Sequence, residues 1–307
     1  MNEFDTIKNF FSWSETGAGL EKSVGDDCAI LNVNNDASVV TSMDTLVEGI
    51  HFTKDTKPED IAYKALAVNL SDIAAMGANP RFFTLSLTVP EVNPGWLEKF
   101  SESLKALSYS FNVRLIGGDM TKGPLNVTIS IFGEVKKGLA LQRSGAMAGD
   151  LIFISGDLGD AALAYKGLKV NASTLLRLNR PSPRIELGQR LTPVATSCID
   201  ISDGLYQDLG HILIMSRVGC VIDLEKLPMS NDVKDYVDNS SNWCIPFTGG
   251  DDYELCFTVP ESMCNKVEDI SSELNLPLTC IGEITKDIKF TVKGGSVEEC
   301  NSYQHFN

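Results

Sequence analysis

Six aspartates supply most of the chemistry that this sequence can offer. Each follows a predicted strand or lies in an apolar helix, and glycines flank several of them. Unpaired carboxylates are costly to bury, so a shared site for several of them needs a strong positive charge. Divalent cations with oxygen ligands meet that need, and Mg²⁺ usually binds together with phosphate groups. The six residues are Asp27, Asp44, Asp72, Asp119, Asp200 and Asp203.

Taken singly, each aspartate also has an ordinary structural interpretation. Asp72 follows Asn69 by three residues on an apolar helix, where a salt bridge or a helix cap would explain it. Asp203, or Ser202 before it, would serve as the N-cap of the helix "LYQDLGHIL". The number of such carboxylates, rather than any one of them, favours a metal site.

Alternating strands and helices are predicted to position these residues. The run "ASVVTSMDTLV" reads as a strand, and a helix is predicted to open after Pro58 and to stop at Gly77. In "RFFTLSLTVP" and "LNVTISIFGEV", apolar residues such as Leu87 and Ile129 alternate with Thr or Ser. A period of two predicts strands with one buried face, and therefore an antiparallel or mixed sheet.

The length predicts two domains. A chain of 307 residues exceeds the usual size of a single core, and a Gly- and Ala-rich turn, "RSGAMAGD", precedes a fresh apolar strand. We therefore predict an α/β (α+β) protein with one domain over residues 1–147 and a second over residues 148–307. A short "SGDLGD" turn, helices and the strand "CIDISDG" are predicted within the second domain.

The amino-acid composition limits the kinds of partner that this protein is expected to bind. With 26 basic and 41 acidic residues the net charge is −15, which would repel nucleic acid and would make phosphorylated ligands depend on cations. No apolar run approaches the ~20 residues of a membrane span, and no secretory leader is recognisable. The eight cysteines include no CxxC pair and are interpreted as reduced core thiols. We expect a cytoplasmic protein that binds neither membranes nor nucleic acid.

Common catalytic motifs are missing. The sequence contains no GxxxxGK[ST] loop, no kinase HRD and DFG pair, no GxSxG nucleophile and no HExxH zinc motif. Only three histidines are present, which disfavours a His-rich metal centre. His51, in the turn "EGIHF", is a better functional candidate than His211, which we interpret as structural.

An ordered set of segments resembles one family. "VGDDCAIL", "SMDTLVEGIHF", "NLSDIAAMGA", "LIGGDMTKGP", "QRSGAMAGD", "ISDGLYQDLGHI" and "GGDDYEL" are similar to the motifs of the thiamine-monophosphate kinase family, within the aminoimidazole ribonucleotide synthetase-like superfamily. The resemblance runs from about residue 25 to residue 306. It implies a two-domain fold of that superfamily, with an N-terminal αβ domain that dimerises through its sheet and a C-terminal αβ domain.

The same resemblance implies the ligands: ATP as co-substrate, thiamine monophosphate, and several Mg²⁺ ions in each site of a homodimer. The implied metal ligands are Asp27, Ser42, Met43, Asp44, Asp72, Asp119, Asp200 and Asp203. The implied ATP contacts are Gly118, Asp119, Arg143 and Ser202, and the implied substrate contacts are His51, Asp251 and Tyr303. No residue is implied as a catalytic nucleophile.

The sequence departs from the family pattern at two of these positions. Met43 stands where the family usually has Thr, so a metal contact there would come from the backbone carbonyl. Asp251 stands where the family usually has Glu, and its shorter side chain changes the reach toward substrate.

The expected reaction is direct in-line transfer of the γ-phosphoryl group of ATP to thiamine monophosphate, giving thiamine diphosphate. One alternative is another enzyme of the superfamily. A selenophosphate synthetase would need a reactive Cys or selenocysteine near the start, and none precedes Cys28; a hydrogenase-maturation enzyme would need a C-terminal Cys, whereas this chain ends "YQHFN". A non-catalytic acidic metal-binding module is the alternative of a different class.

Overall fold

The computed structural model of the chain describes residues 3–14, 17, 19–24, 28–297 and 300, with the side chains from residue 5 onward. The chain divides into two compact units, one of residues 1–73 and 78–138, the other of residues 74–77 and 139–307. The predicted boundary, between residues 147 and 148, lies nine residues beyond the boundary between residues 138 and 139 in the structure. The sequence does not predict that residues 74–77 group with the second unit.

A four-stranded sheet and two long helices form the centre of the first unit. Its helices are α1 (Glu3–Phe10), α2 (Pro58–Ala75) and α3 (Pro94–Ser110), and its strands are β1 (Leu20–Lys22), β2 (Ile30–Leu31), β3 (Ala37–Val47), β4 (Asn79–Val89), β5 (Arg114–Lys122) and β6 (Asn126–Lys136). The sheet order is β3-β6-β4-β5, with β4 and β5 parallel and the other pairs antiparallel. The sheet is mixed, one of the two arrangements, antiparallel or mixed, that the alternating strands predict.

Alternation along the strands gives this sheet two different faces. Leu87 and Ile129 are each about 1% exposed, and they share a face with Gly133, where Ile73 of α2 lies within van der Waals range. Helix α2 is apolar on nearly every side and is buried, as its sequence predicts. The opposite face carries exposed Val39 and Met43 among threonines and serines.

The second unit contains a six-stranded sheet and seven α-helices in its described part. Its helices are α4 (Asp160–Tyr165), α5 (Ala172–Asn179), α6 (Ile185–Leu191), α7 (Leu205–Ser216), α8 (Asn231–Ser240), α9 (Cys244–Thr248) and α10 (Cys264–Leu274), and its strands are β7 (Asp150–Ser155), β8 (Ser197–Asp200), β9 (Gly219–Asp223), β10 (Leu255–Pro260), β11 (Leu278–Thr285) and β12 (Phe290–Lys293). The order is β12-β9-β11-β7-β10-β8, and β9 and β12 are the parallel pair. The polar segment around Pro181 and Pro183, which the sequence predicts as a connector between helix and strand, contains α5, and α6 begins near its end.

The expectation that all eight cysteines are free thiols was wrong for two of them. Cys244 and Cys300 form a disulfide, and their Cα atoms lie 5.1 Å apart, within the range that such a bond requires. Cys198, Cys220 and Cys256 are free and buried, as expected, whereas Cys28 is free and exposed. Because two cysteines are paired, the cysteine content gives no support for a reducing compartment.

None of the described helices combines the length and the apolar character needed to cross a lipid bilayer.

Candidate functional site

Two carboxyl groups meet in the first unit, between β3 and α2. Ser42 and Asp44 are two residues apart on β3, so their side chains leave the same face of the sheet, the face covered by α2. Ser42 Oγ donates a hydrogen bond of 2.5 Å to Asp72 Oδ2. The carboxyl group of Asp44 lies near that of Asp72, so the two can share a hydrogen bond when one of them is protonated. Three residues that the resemblance implies as metal ligands therefore lie together.

The pair is electrostatically strained when nothing neutralises it. Burial raises the pKa of Asp44 to about 7, and the charge of Asp72 and their shared hydrogen bond act in the same direction. The pair therefore retains a shared proton below about pH 7 and loses it above. A divalent cation would replace that proton and remove the repulsion.

The donor set around this pair suits a hard cation. Its atoms are carboxylate and hydroxyl oxygens, the ligands that Mg²⁺ prefers. One turn earlier on α2, the Oδ1 atom of Asn69 is buried without a hydrogen-bond partner among the described residues. Among the residues that the structure describes, however, no three or more acidic, His or Cys side chains lie close enough together to hold a metal ion. Asp27, a predicted ligand, lies outside the described residues.

The other two residues implied for this region lie elsewhere on the sheet. Asp119 lies within β5 and not at a strand end as expected, and its side chain is exposed. Strands β3 and β5 are opposite edges of the sheet, with β6 and β4 between them, so Asp119 does not join the Asp44–Asp72 pair within the unit. The thioether of Met43 leaves the face opposite to Ser42 and Asp44 and is 64% exposed.

The two glycines before Asp119 have different local roles. A Cβ atom at Gly118 would lie 1.8 Å from the carbonyl oxygen of Leu85 on β4, so glycine is required there by the approach of two strands. A Cβ atom at Gly117 would meet no atom within 4 Å. Both residues line a cavity of about 540 Å³ in the first unit, with Leu85, Ile116 and Phe11 among its apolar lining.

His51 lies in the turn after β3, half-buried. The N–H of Val47 donates to His51 Nδ1 at 3.0 Å, so in the neutral ring the proton is on Nε2. The carbonyl oxygen of His51 accepts a 3.3 Å hydrogen bond from Lys64 Nζ on α2. Lys64 is 2% exposed and was missed in the sequence analysis, although a lysine inside an apolar helix is a recognisable signal because lysine is rarely fully buried.

A tight turn between β8 and α7 carries the acidic residues of the second unit. Asp200 is buried at the end of β8, and Ser202 and Asp203 follow it, half-buried. Asp208 Oδ2 accepts hydrogen bonds from the backbone N–H groups of Ser202, Asp203 and Gly204 at 3.0–3.1 Å. The N-cap alternative for Ser202 and Asp203 was therefore wrong, since the cap position is Gly204 and a carboxylate from the first turn of α7 satisfies the backbone.

Asp208 was not singled out from the sequence. Burial raises its pKa to about 7, the nearby charge of Asp203 adds to this, and the three backbone donors oppose it. Its spacing from Asp203 gives no sign of this role, because the contact depends on the shape of the turn.

The segment of residues 249–254, here called the Asp251 loop, packs on the same turn. The N–H of Asp251 donates to the carbonyl of Ser202 at 2.9 Å, and Tyr253 Oη donates to Asp251 Oδ1 at 3.1 Å. The side chain of Asp251 is half-buried, whereas those of Asp252 and Glu254 are fully buried. Arg143, an implied ATP contact in this unit, has an exposed side chain, and Tyr303 lies outside the described residues.

Fold and sequence together define the class of protein. Residues 25–135 match the family model for AIR synthase related protein, N-terminal domain. The thiamine-monophosphate kinase of Salmonella typhimurium is 44% identical over 318 aligned residues, covering 99% of this chain and 98% of the relative. The chain belongs to the thiamine-monophosphate kinase family and is an enzyme of that family.

Solved structures agree with this assignment. The thiamine-monophosphate kinase of Stenotrophomonas maltophilia K279a is 40% identical with a TM-score of 0.85, covering 91% of this chain and 92% of that one. The structure of AaThiL complexed with AMPPCP and TMP is 30% identical with a TM-score of 0.79, covering 93% and 92%. The predicted family and fold class are confirmed.

Proposed function

We propose that this enzyme transfers the γ-phosphoryl group of ATP to thiamine monophosphate, forming thiamine diphosphate, with several Mg²⁺ ions assisting, and that it does so in the cytoplasm. The observation that carries the proposal is the Asp44–Asp72 pair, two neighbouring carboxyl groups whose mutual repulsion calls for a cation. A triphosphate ligand also needs a cation to approach a chain of net charge −15. The same ion would satisfy both requirements.

The proposed reaction needs no strong general acid or base from the protein. A phosphate oxygen of thiamine monophosphate, already ionised at neutral pH, forms a bond to the γ-phosphorus as the bond to the β,γ-bridging oxygen breaks and ADP leaves. Positioning and charge neutralisation then supply most of the catalysis, without a phosphoenzyme. This fits a chain with three histidines and no nucleophile motif.

The metal would be held by this chain's oxygen ligands. Ser42, Asp44 and Asp72 are proposed in the first unit, with Asp27, Asp119 and the backbone carbonyl of Met43, and Asp200 and Asp203 are proposed in the second. When bound, Mg²⁺ would neutralise phosphate charge and orient the transferred group. Asp44 and Asp72 are half-buried, and Ser42 fixes the orientation of the Asp72 carboxylate by its hydrogen bond.

The substrates are supported by the relatives. AMPPCP is a non-hydrolysable counterpart of ATP, and it accompanies TMP in the AaThiL complex, which we take as thiamine monophosphate from the name of the family. We propose that ATP contacts Gly118, Asp119, Arg143 and Ser202, with part of the nucleotide in the cavity beside Gly118. We propose that thiamine monophosphate contacts His51, Asp251 and Tyr303.

The direct test is turnover with defined substrates. The purified protein is incubated with Mg-ATP and thiamine monophosphate, and thiamine diphosphate and ADP are quantified by chromatography. We expect equal amounts of both products, and none when Mg²⁺ is chelated. ATP hydrolysis without thiamine diphosphate would favour another enzyme of the superfamily, and no ATP consumption with any monophosphate would favour a metal-binding module.

Metal affinity should depend on pH because the Asp44–Asp72 pair must lose a proton to bind a cation. The raised pKa of Asp44, about 7, predicts that Mg²⁺ affinity at this pair falls by about tenfold for each pH unit below 7. Calorimetric titration at pH 6 and pH 8 measures this, and the difference between unmodified protein and Asp72→Asn isolates the pair. Equal affinity at both pH values would contradict the shared proton.

We also propose a homodimer. Leu87 and Ile129 are buried within the first unit, so a contact between two copies would involve other side chains or an open strand edge. The opposite face of the sheet has exposed Val39 and Met43, and β3 is an edge strand. A second copy of this face would cover those side chains.

This assembly predicts a measurable change in mass. We expect the protein to sediment as a dimer at micromolar concentration and Val39→Glu to shift it toward monomer, because a charge would be buried in the contact. Ile288→Glu, at a side chain that is 77% exposed in the second unit, is the matched control and should leave the dimer intact. A monomeric unmodified protein would refute the proposal.

A further inference from the structure

The Asp251 loop has a backbone conformation that its residues do not favour. Asp251 has φ 69° and Tyr253 has φ 51°, so two residues with side chains are left-handed within three positions. Such conformations cost free energy and persist only where the surroundings determine them, often at ligand sites. In this loop, the contacts that hold the left-handed conformation come from buried residues beneath it.

A buried carboxylate anchors the loop. Glu254 has no exposed surface, and its Oε2 accepts hydrogen bonds from Ser155 Oγ at 2.5 Å and from Arg184 Nε at 2.7 Å. Its Oε1 accepts from Arg184 Nη2 at 2.6 Å and from Arg177 Nη2 at 2.8 Å. A carboxylate held by two guanidinium groups has little freedom to move, because their planar donors fix its orientation as well as its charge.

The same anchoring reaches the residue next to Asp251. Arg177 Nη2 also donates to the carbonyl oxygen of Asp252 at 3.2 Å. The Asp252 carboxylate accepts from the N–H of Gly159, at 2.9 Å to one oxygen and 3.1 Å to the other. Asp252 and Glu254 thus point into the unit, while Asp251 and Tyr253 lie half-buried on the other side and contact each other.

We propose that Arg177 and Arg184 are positioning residues for substrate recognition: through Glu254 they hold the Asp251 loop in its left-handed conformation and so fix the Asp251 carboxylate for the cationic thiamine part of the acceptor. This rests on the proposed function, in which Asp251 contacts thiamine monophosphate. Both arginines come from the segment around α5 and α6. That segment would therefore influence the acceptor without touching it.

The test separates the two substrates. Arg177→Met removes donors to Glu254 and to the loop backbone, and we expect the KM for thiamine monophosphate to rise roughly 10- to 100-fold, because a small displacement of a binding group is costly. The KM for ATP should change less than about twofold. Arg177→Lys keeps the charge with fewer donors and should recover part of the loss. Arg190→Met removes an exposed pair with Glu273 in the same unit and should leave both constants unchanged.

Other outcomes would overturn the inference. If Arg177→Met does not fold, Arg184→Lys, which keeps a charge but loses the parallel pair of bonds, should show the same selective rise in smaller measure. Equal changes in both KM values, or a fall in kcat alone that matches the fraction of folded protein, would mean a structural role only. Unmodified protein that turns over thiamine monophosphate while the arginine variants keep its KM refutes this inference alone. Unmodified protein without that turnover refutes the proposed function and this inference with it.

Discussion

Replacing Asp72 with asparagine should lower the rate of phosphoryl transfer by about 10³-fold or more, while the metal-free protein stays at least as stable as the unmodified chain. Asn is nearly isosteric with Asp, and its Oδ1 atom can still accept the hydrogen bond from Ser42 Oγ. The lost charge removes the ligand that would be shared with a cation. A 10³-fold loss corresponds to about 4 kcal/mol of transition-state stabilisation.

The stability half of this prediction follows from the sign of a pKa shift. The pKa of Asp44 is raised above its ordinary 3.8 to about 7, so the folded protein retains a proton that the unfolded chain releases between those values. This contribution to stability is complete at acid pH and is lost as pH rises through about 7. In Asp72→Asn the repulsion is removed, so the free energy of unfolding in EDTA at pH 8 should not fall.

Initial rates at saturating Mg-ATP and thiamine monophosphate measure the effect on catalysis. Thermal unfolding in EDTA at pH 8 measures the effect on stability. Asp36→Asn, at an exposed aspartate in the same unit, is the matched control and should change neither quantity. Near-normal turnover by Asp72→Asn would make the residue structural. A clear drop in its unfolding temperature would also contradict the interpretation, because it would mean that the Asp72 charge stabilises the fold.

Gly118→Ala should strongly destabilise the first unit. The added Cβ atom would lie 1.8 Å from the carbonyl oxygen of Leu85, and the neighbour is strand backbone, which cannot rotate away as a side chain can. Separating β4 from β5 would break the parallel ladder that joins the edge strand β5 to the sheet. We expect a loss of about 4 kcal/mol or more, a large part of the 5–15 kcal/mol that stabilises a typical domain.

The adjacent glycine provides the control. Gly117→Ala places a methyl group where no atom lies within 4 Å, so the free energy of unfolding should change by less than about 1 kcal/mol. Because Gly117 lines the cavity beside Asp119, the same variant should weaken ATP binding if the nucleotide occupies that cavity. Denaturant unfolding followed by circular dichroism distinguishes the two variants. A Gly118→Ala protein as stable as Gly117→Ala would show that β4 and β5 can separate without cost.

The sequence by itself determined the elements whose periodicity is local. The strand over Ala37–Val47, the helix that begins at Pro58 and the alternating strands around Leu87 and Ile129 are all confirmed, because burial of one face imposes a period that can be read directly. Ordered motifs along the chain also determined the family. The short helices α5 and α6 were missed. Each spans only about two turns, although α5 has a capping box of Asn171 and Thr174 and α6 buries Ile185 and Leu191.

Which of the candidate residues meet was decided only by the tertiary structure. Strand order places Asp119 on the edge strand opposite to the one that carries Asp44, with two strands between them, although both aspartates follow apolar runs in the sequence. Asp208, Lys64 and the two arginines on Glu254 gain their roles from residues far away in the chain or from the shape of a turn. A pattern of residue types shows which side chains can carry charge. The pairing of strands and the packing of helices determine which of those charges share a site of low dielectric constant. In such a site the pKa values of the groups shift, and their chemistry changes with them.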